Sequence, residues 1–176
     1  MKKVVLTFGL LSGGLSALLM FGTMSFIDEI GFDRGVFVGY TAIVISFLFV
    51  YFGIRSYRDN VLNGRITFGR GLGVGLLITL ISCACYVASW QIIYYNGLMP
   101  DFLDKYNAHV ISQLKSSGAT EAEVQAAEQQ NEEFKRLYAN PLVNIAFTLI
   151  EPLPVGLLIT FVSAAVLRRT RQPAAS

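Results

Sequence analysis

Charge is scarce in this chain of 176 residues. Lys, Arg, Asp and Glu together make up 15% of it, against about 25% in a soluble domain, while 53% is hydrophobic. The scarcity is also uneven. No charged residue falls among the 24 positions between Lys3 and Asp28, the 20 between Arg34 and Arg55, or the 30 between Arg70 and Asp101. Beyond Arg136 only Glu151 interrupts the run to Arg168. A core of this size cannot bury four such stretches, so a soluble globular fold is excluded. A mean hydropathy of +0.53 excludes disorder. Cysteine is nearly missing as well. Cys83 and Cys85 stand two apart in an apolar run; on a helix they point to nearly opposite faces, neither bridging nor chelating, and read as small packing residues. His109 is the single histidine, with no partner at metal-ligand spacing, and reads as a solvated helix residue. No Gly-x-Ser-x-Gly, no His-Glu-x-x-His and no facing intramembrane carboxylates occur, so neither an enzyme nor a cofactor is expected. A net charge of +2 is too small to suggest nucleic acid.

What is present is a set of membrane spans. A hydrocarbon core about 30 Å thick needs roughly 20 apolar helical residues. The runs predict helices over Val4–Ile27, Gly35–Ile54, Gly71–Tyr95 and Leu142–Leu167. The first run is longer than the apolar stretch of a signal peptide, and no clear A-x-A site follows it, so a retained anchor is expected. Lys2 and Lys3, then Arg55, Arg58, Arg65 and Arg70, then Arg168, Arg169 and Arg171 put nine of the 14 basic residues on one side. That side is expected to be cytoplasmic, with both termini on it, in a cell inner membrane. Trp90, Tyr94 and Tyr95 then fall at the outer end of the third span, where interfacial aromatics sit.

Residues 101–140 are the one soluble-looking segment, with seven acidic and four basic side chains. Leu103, Tyr106, Val110 and Leu114 recur at helical steps. Ser117-Gly118 supplies a stop. Thr120 with Glu123 is a capping box that starts a second stripe through Val124, Ala127, Asn131, Phe134 and Leu137 or Tyr138, and Asn140-Pro141 ends it. The expected fold is all-α: a four-span membrane bundle with an extracytoplasmic helical hairpin between the third and fourth spans.

Small residues recur every four positions: Gly9 and Gly13, Gly35 and Gly39, Gly71 and Gly75, then Gly156, Thr160 and Ala164. Such stripes let helix backbones approach in lipid, where no hydrophobic effect draws helices together. They serve either a homo-oligomer seam or packing within the bundle, and four helices need internal contacts first. The glycine run around Arg70 matches neither a dinucleotide fingerprint nor a phosphate loop. Ser82, Tyr86 and Ser89 share a face of the third span, with Asn96 beyond them and Gln91 nearby. They read as hydroxyls bonding to helices or as one wall of a polar cavity. Glu151 is the single charge inside a span. Pro152 and Pro154 follow it and remove the backbone donors that the carbonyls of Thr148 and Ile150 would meet. A carboxyl group beside a broken helix is the most site-like feature here. The other reading starts the fourth span at Glu151 and leaves 142–150 at the interface.

Several strings are familiar together: Asn63-Gly64-Arg65-Ile66-Thr67-Phe68-Gly69-Arg70-Gly71, Trp90-Gln91-Ile92-Ile93-Tyr94-Tyr95, Ser117-Gly118-Ala119-Thr120-Glu121-Ala122-Glu123, and Tyr138-Ala139-Asn140-Pro141 ahead of Glu151-Pro152-Leu153-Pro154-Val155-Gly156. The chain resembles a bacterial family of small four-helix membrane proteins, the domain-of-unknown-function family four-one-nine-nine. That resemblance implies four spans with an outer segment before the last, and no reaction. The functional expectation is a non-enzymatic interaction or accessory component in the lipid bilayer, self-associating or touching a membrane or periplasmic protein through its hairpin. The alternative is an oligomeric transporter or channel for a small solute or ion, lined by Glu151 and the polar face of the third span.

Overall fold

The computed structural model describes residues 1–169; Arg171 of the basic tail lies outside the described residues. Among the described residues the chain forms α1 (Lys2–Ser25), α2 (Ile27–Ile30), α3 (Phe32–Val61), α4 (Phe68–Tyr95), α5 (Phe102–Ser116), α6 (Glu121–Tyr138), α7 (Pro141–Ile150) and α8 (Pro152–Leu167). Four stretches are long and apolar enough to cross a membrane: α1, α3, α4 and the continuous 141–167 segment of α7 and α8. α1 and α8 each pack on both α3 and α4, so the four form a bundle with α3 and α4 at its centre.

Several helix ends differ from the hydropathy reading, with α3 and α4 each beginning three residues early, at Phe32 and Phe68. α1 stops at Ser25, and the short α2 with Gly31 at φ +81° turns the chain into α3. α3 runs on to Val61, seven residues beyond Ile54. Thirty residues span about 45 Å, more than the hydrocarbon core, so one end stands in the headgroups or beyond. Hydropathy marks where lipid ends, whereas the helix ends where its hydrogen bonding does. At this protruding end Arg58 is only 8% exposed. It pairs with Asp59 at 2.6 Å, and its Nη1 donates to the carbonyl of Leu167 at 3.5 Å. It thus places a cation at the C-terminus of α8, where the helix dipole favours one. The N–H of Ile66 donates to the carbonyl of Arg169 at 3.1 Å, and the reverse bond is 3.0 Å. These two bonds tie the α3–α4 loop to the chain after α8.

The centre of the bundle is close-packed. A Cβ on Gly13 of α1 would lie 2.5 Å from that of Cys85 on α4, and one on Gly156 of α8 would lie 2.6 Å from Cγ2 of Thr79. Gly9, Gly71 and Gly75 likewise meet side chains of other spans, respectively Ile81, Ala164 and Thr160. Gly35 meets Ile27 of α2. Gly53, outside the stripes read from sequence, lies under Ile78 and Phe8. Gly39 departs from the packing expectation: nothing lies within 4 Å of its Cβ position. The space beside it is a cavity.

α5 and α6 pack together with a tight turn at Gly118, φ +83°. They run antiparallel, because Lys135 near the end of α6 pairs with Asp104 in the first turn of α5. Thr120 Oγ1 accepts from the N–H of Glu123, and Glu123 Oε2 accepts from the N–H of Thr120 at 2.7 Å. Thr120→Ala is expected to weaken α6 by about 1 kcal/mol, seen as faster hydrogen exchange in 121–138 with the spans unchanged. The bond from the Thr120 N–H, with that from its hydroxyl, also holds the Glu123 carboxyl below its ordinary value. Stabilisation from a depressed carboxyl is present at neutral pH and lost as pH falls through its folded value. Exchange protection of α6 should therefore drop on acidification, and Glu123→Gln should flatten that dependence.

Candidate functional site

The break in the fourth span builds the site. Asn140 caps α7, accepting from the N–H of Leu142 at 3.0 Å, with Pro141 in the first turn. Eleven residues after Pro141, Pro152 and then Pro154 interrupt the hydrogen-bond ladder, and α8 starts anew. α8 lies against α3 and α4, but α7 leans on α4 and α6. Above Glu151 the bundle is therefore splayed. A cavity of about 420 Å³ fills the gap. Ser16, Met20 and Thr23 of α1 form one wall, Gly39, Tyr40 and Ile43 of α3 the next, and Tyr86 and Trp90 of α4 a third. Phe102 and Tyr106 of α5 with Phe134 and Tyr138 of α6 make the roof. Val36, Tyr40 and Ile150, all exposed, rim the gap between α3 and α7. That gap opens between two candidate spans, on a side where their exposed residues are largely apolar.

Glu151 lies at the floor. It is half-buried, and the hydroxyl of Tyr86 donates to its Oε2 at 2.7 Å. Among the described residues no Lys, Arg or His pairs with it, and no hydrogen bond reaches Oε1. Glu151 lies 16 residues before Leu167, or about 24 Å along the axis, within the 141–167 candidate span and nearer its hairpin end. Pro152 is fully buried and Pro154 exposed.

Of the polar residues read from the face of α4, only Tyr86 joins Glu151. Ser82 donates to the carbonyl of Ile78 at 3.0 Å and lies 3.4 Å from that of Gly9 on α1. Ser89 donates to the carbonyl of Cys85 at 2.9 Å. Neither serine lines the cavity. A helical face spans more than 100°, and the cavity touches only part of it, so hydroxyls on its edge turn back onto their own helix.

A polar group absent from the sequence reading holds the splayed end in place. Asn144, fully buried, accepts at Oδ1 from Gln91 Nε2 at 2.6 Å, and its backbone carbonyl accepts from Thr148 Oγ1 at 2.8 Å. Trp90 Nε1 donates to the hydroxyl of Tyr138 at 2.7 Å. Trp90 is thus a buried anchor between α4 and α6. The signal for Asn144 was its amide in an otherwise apolar run, because a buried amide in a span needs a partner. His109, partly exposed on α5, has a partner that its sequence context did not show. Its Nε2 lies 3.2 Å from Asp33 Oδ1, Gln113 donates to the same carboxylate at 3.0 Å, and Lys105 pairs with Asp28 at 2.6 Å. Phe32 stands edge-on to Phe102 and Tyr106. These contacts clamp α5 to α2 and to the start of α3.

Four apolar spans in a bundle, with a polar hairpin folded over one end, define an α-helical multi-pass membrane protein. The model of the family described as "Protein of unknown function (DUF4199)" matches residues 7–169. The chain belongs to that family, the one its short strings resemble. No curated protein and no solved structure matches it.

Proposed function

We propose that this protein is a non-enzymatic accessory component of a cell inner membrane that holds a small membrane-borne molecule in the cavity above Glu151. The observation that carries the reading is the cavity itself, which is of the size of a ligand site, walled by apolar and aromatic groups with few polar ones, and open between two candidate spans. The hairpin is then a roof, since its inward residues are spent on Phe32, Asp28 and Asp33 of the same chain. The basic end, with both termini, faces the cytoplasm. A transport role is supported less, because below Glu151 the interior is filled by Phe47, Val50, Ile54 and Ile78, none more than 3% exposed.

Trp90, the single tryptophan, lines the cavity and reports on it. Octanol added to the protein in dodecyl maltoside is expected to shift Trp90 emission saturably. Gly39→Phe, which has open space at its Cβ, should abolish the shift while leaving thermal stability near wild type. An unsaturable response, or one unchanged by Gly39→Phe, rejects the cavity as the site. For orientation, Ser117→Cys should react with an impermeant thiol reagent applied to cells with a permeabilised outer membrane. Protection of that cysteine reverses the topology.

A further inference from the structure

We infer that the cavity's occupant is an organic ammonium: an amine or quaternary nitrogen carried on an apolar body. The inference rests on the reading of the cavity as a binding site and adds the chemistry of the ligand. Charge complementarity comes first. Among the described residues Glu151 is the only charged group lining the cavity, with no Lys, Arg or His beside it. Tyr86 holds Oε2 in place and leaves Oε1 without a protein donor among the described residues. A cation supplies the partner that the fold withholds; an anion meets a carboxyl group in a confined apolar space, where repulsion is poorly screened. An uncharged ligand fills the volume but leaves that carboxyl group unpaired and partly desolvated.

The aromatic groups are the second, independent observation. Tyr40, Tyr86 and Trp90 stand on the walls, and Phe102, Tyr106 and Tyr138 on the roof. Ring faces attract cations, most strongly those of Trp and Tyr, and a cage of rings with one carboxylate is the arrangement that recognises ammonium groups. The polar inventory fits the same class. Of the cavity's hydroxyls, Ser16, Thr23, Tyr86 and Thr148 already donate within the chain, and among the described residues the lining offers no cationic donor for a phosphate or a carboxylate. The opening between α3 and α7 lies among the largely apolar exposed residues of two candidate spans, so the body that carries the nitrogen is apolar. A free amphipathic amine and an amine-bearing lipid headgroup share this chemistry.

The test compares three probes of one chain length by Trp90 emission in dodecyl maltoside at neutral pH: octylammonium, octanol and octanoate. The expected order of affinity in the wild type is octylammonium, then octanol, then octanoate. Glu151→Gln should weaken octylammonium by about tenfold or more and leave octanol within about twofold. Octyltrimethylammonium, which has no N–H donor, should retain binding through the rings. Octanoate binding as tightly as octylammonium overturns the inference without any variant, and so does an unchanged octylammonium midpoint in Glu151→Gln. If none of the three probes shifts Trp90 saturably, the cavity reading itself fails. If octanol binds and charge makes no difference, only the ammonium inference fails. Adding phosphatidylethanolamine to the micelles separates the sources: a raised octylammonium midpoint identifies a lipid amine as occupant, and an unchanged one identifies a free amine.

Discussion

Gly75→Leu is expected to drive α4 and α8 apart and to unfold the bundle at a markedly lower temperature. A first side-chain carbon at Gly75 would lie 2.6 Å from Cγ2 of Thr160 and 2.9 Å from Cδ1 of Ile54. A leucine brings three more carbons to a place with no room for one. The neighbours cannot simply turn aside. Thr160 is fully buried and shares a hydrogen bond with Thr79 at 2.9 Å, and Ile54 is fully buried against α4. Overpacking of this kind costs about 1–3 kcal/mol, and more when backbones must move. Loss of the Thr79–Thr160 bond adds about 0.6 kcal/mol or more in a membrane. Gly39→Leu is the control, because it introduces the same side chain where nothing lies within 4 Å. Melting of the purified monomer in detergent should therefore fall steeply for Gly75→Leu and little for Gly39→Leu. A monomer of undiminished stability that has lost an oligomer would show instead that the small-residue stripe is a seam between copies.

The second large effect lies at Asn144. Asn144→Leu is expected to destabilise the splayed end by about 1–3 kcal/mol, the cost of stranding a polar partner. The stranded group is the Gln91 amide, which donates to Asn144 Oδ1 at 2.6 Å. A second consequence follows from position. Asn144 is the buried amide by which α7 grips α4, and α7 carries Phe147 and Thr148 of the cavity wall. The Trp90 emission of Asn144→Leu should thus move even before heating. The double variant Gln91→Leu with Asn144→Leu should recover much of the loss, because two apolar groups leave no donor unpaired. Thermal melts of the four proteins give the coupling energy directly. Strictly additive losses would mean that the two amides do not act together.

Much of the architecture was legible in residue order. Each span shows as an uninterrupted apolar run, because the transfer of a side chain into lipid depends on that side chain and few others. The capping box at Thr120 and Glu123 and the break at Glu151-Pro152 are equally local, set by groups within four residues of each other. The family could be read from short strings for the same reason. The site was legible only in its centre. Glu151 and Tyr86 stood out as polar groups in apolar helices, and the structure brings them within 2.7 Å. Ser82 and Ser89 stood out equally and turn away, onto their own helix.

The residues whose roles could not be read from sequence are those set by distant parts of the chain. Asn144 meets Gln91 from 53 positions away, and His109 meets Asp33 from 76. Gly39 carries the same i, i+4 signature as Gly75, yet one faces empty space and the other a buried threonine. Residue order by itself determined how many helices cross the bilayer, where they break and which polar groups are out of place in lipid. The tertiary structure alone decided which faces meet and where they fail to meet. A cavity is the second kind of fact: it is volume that seven helices leave unfilled between them, and no single segment carries a record of it.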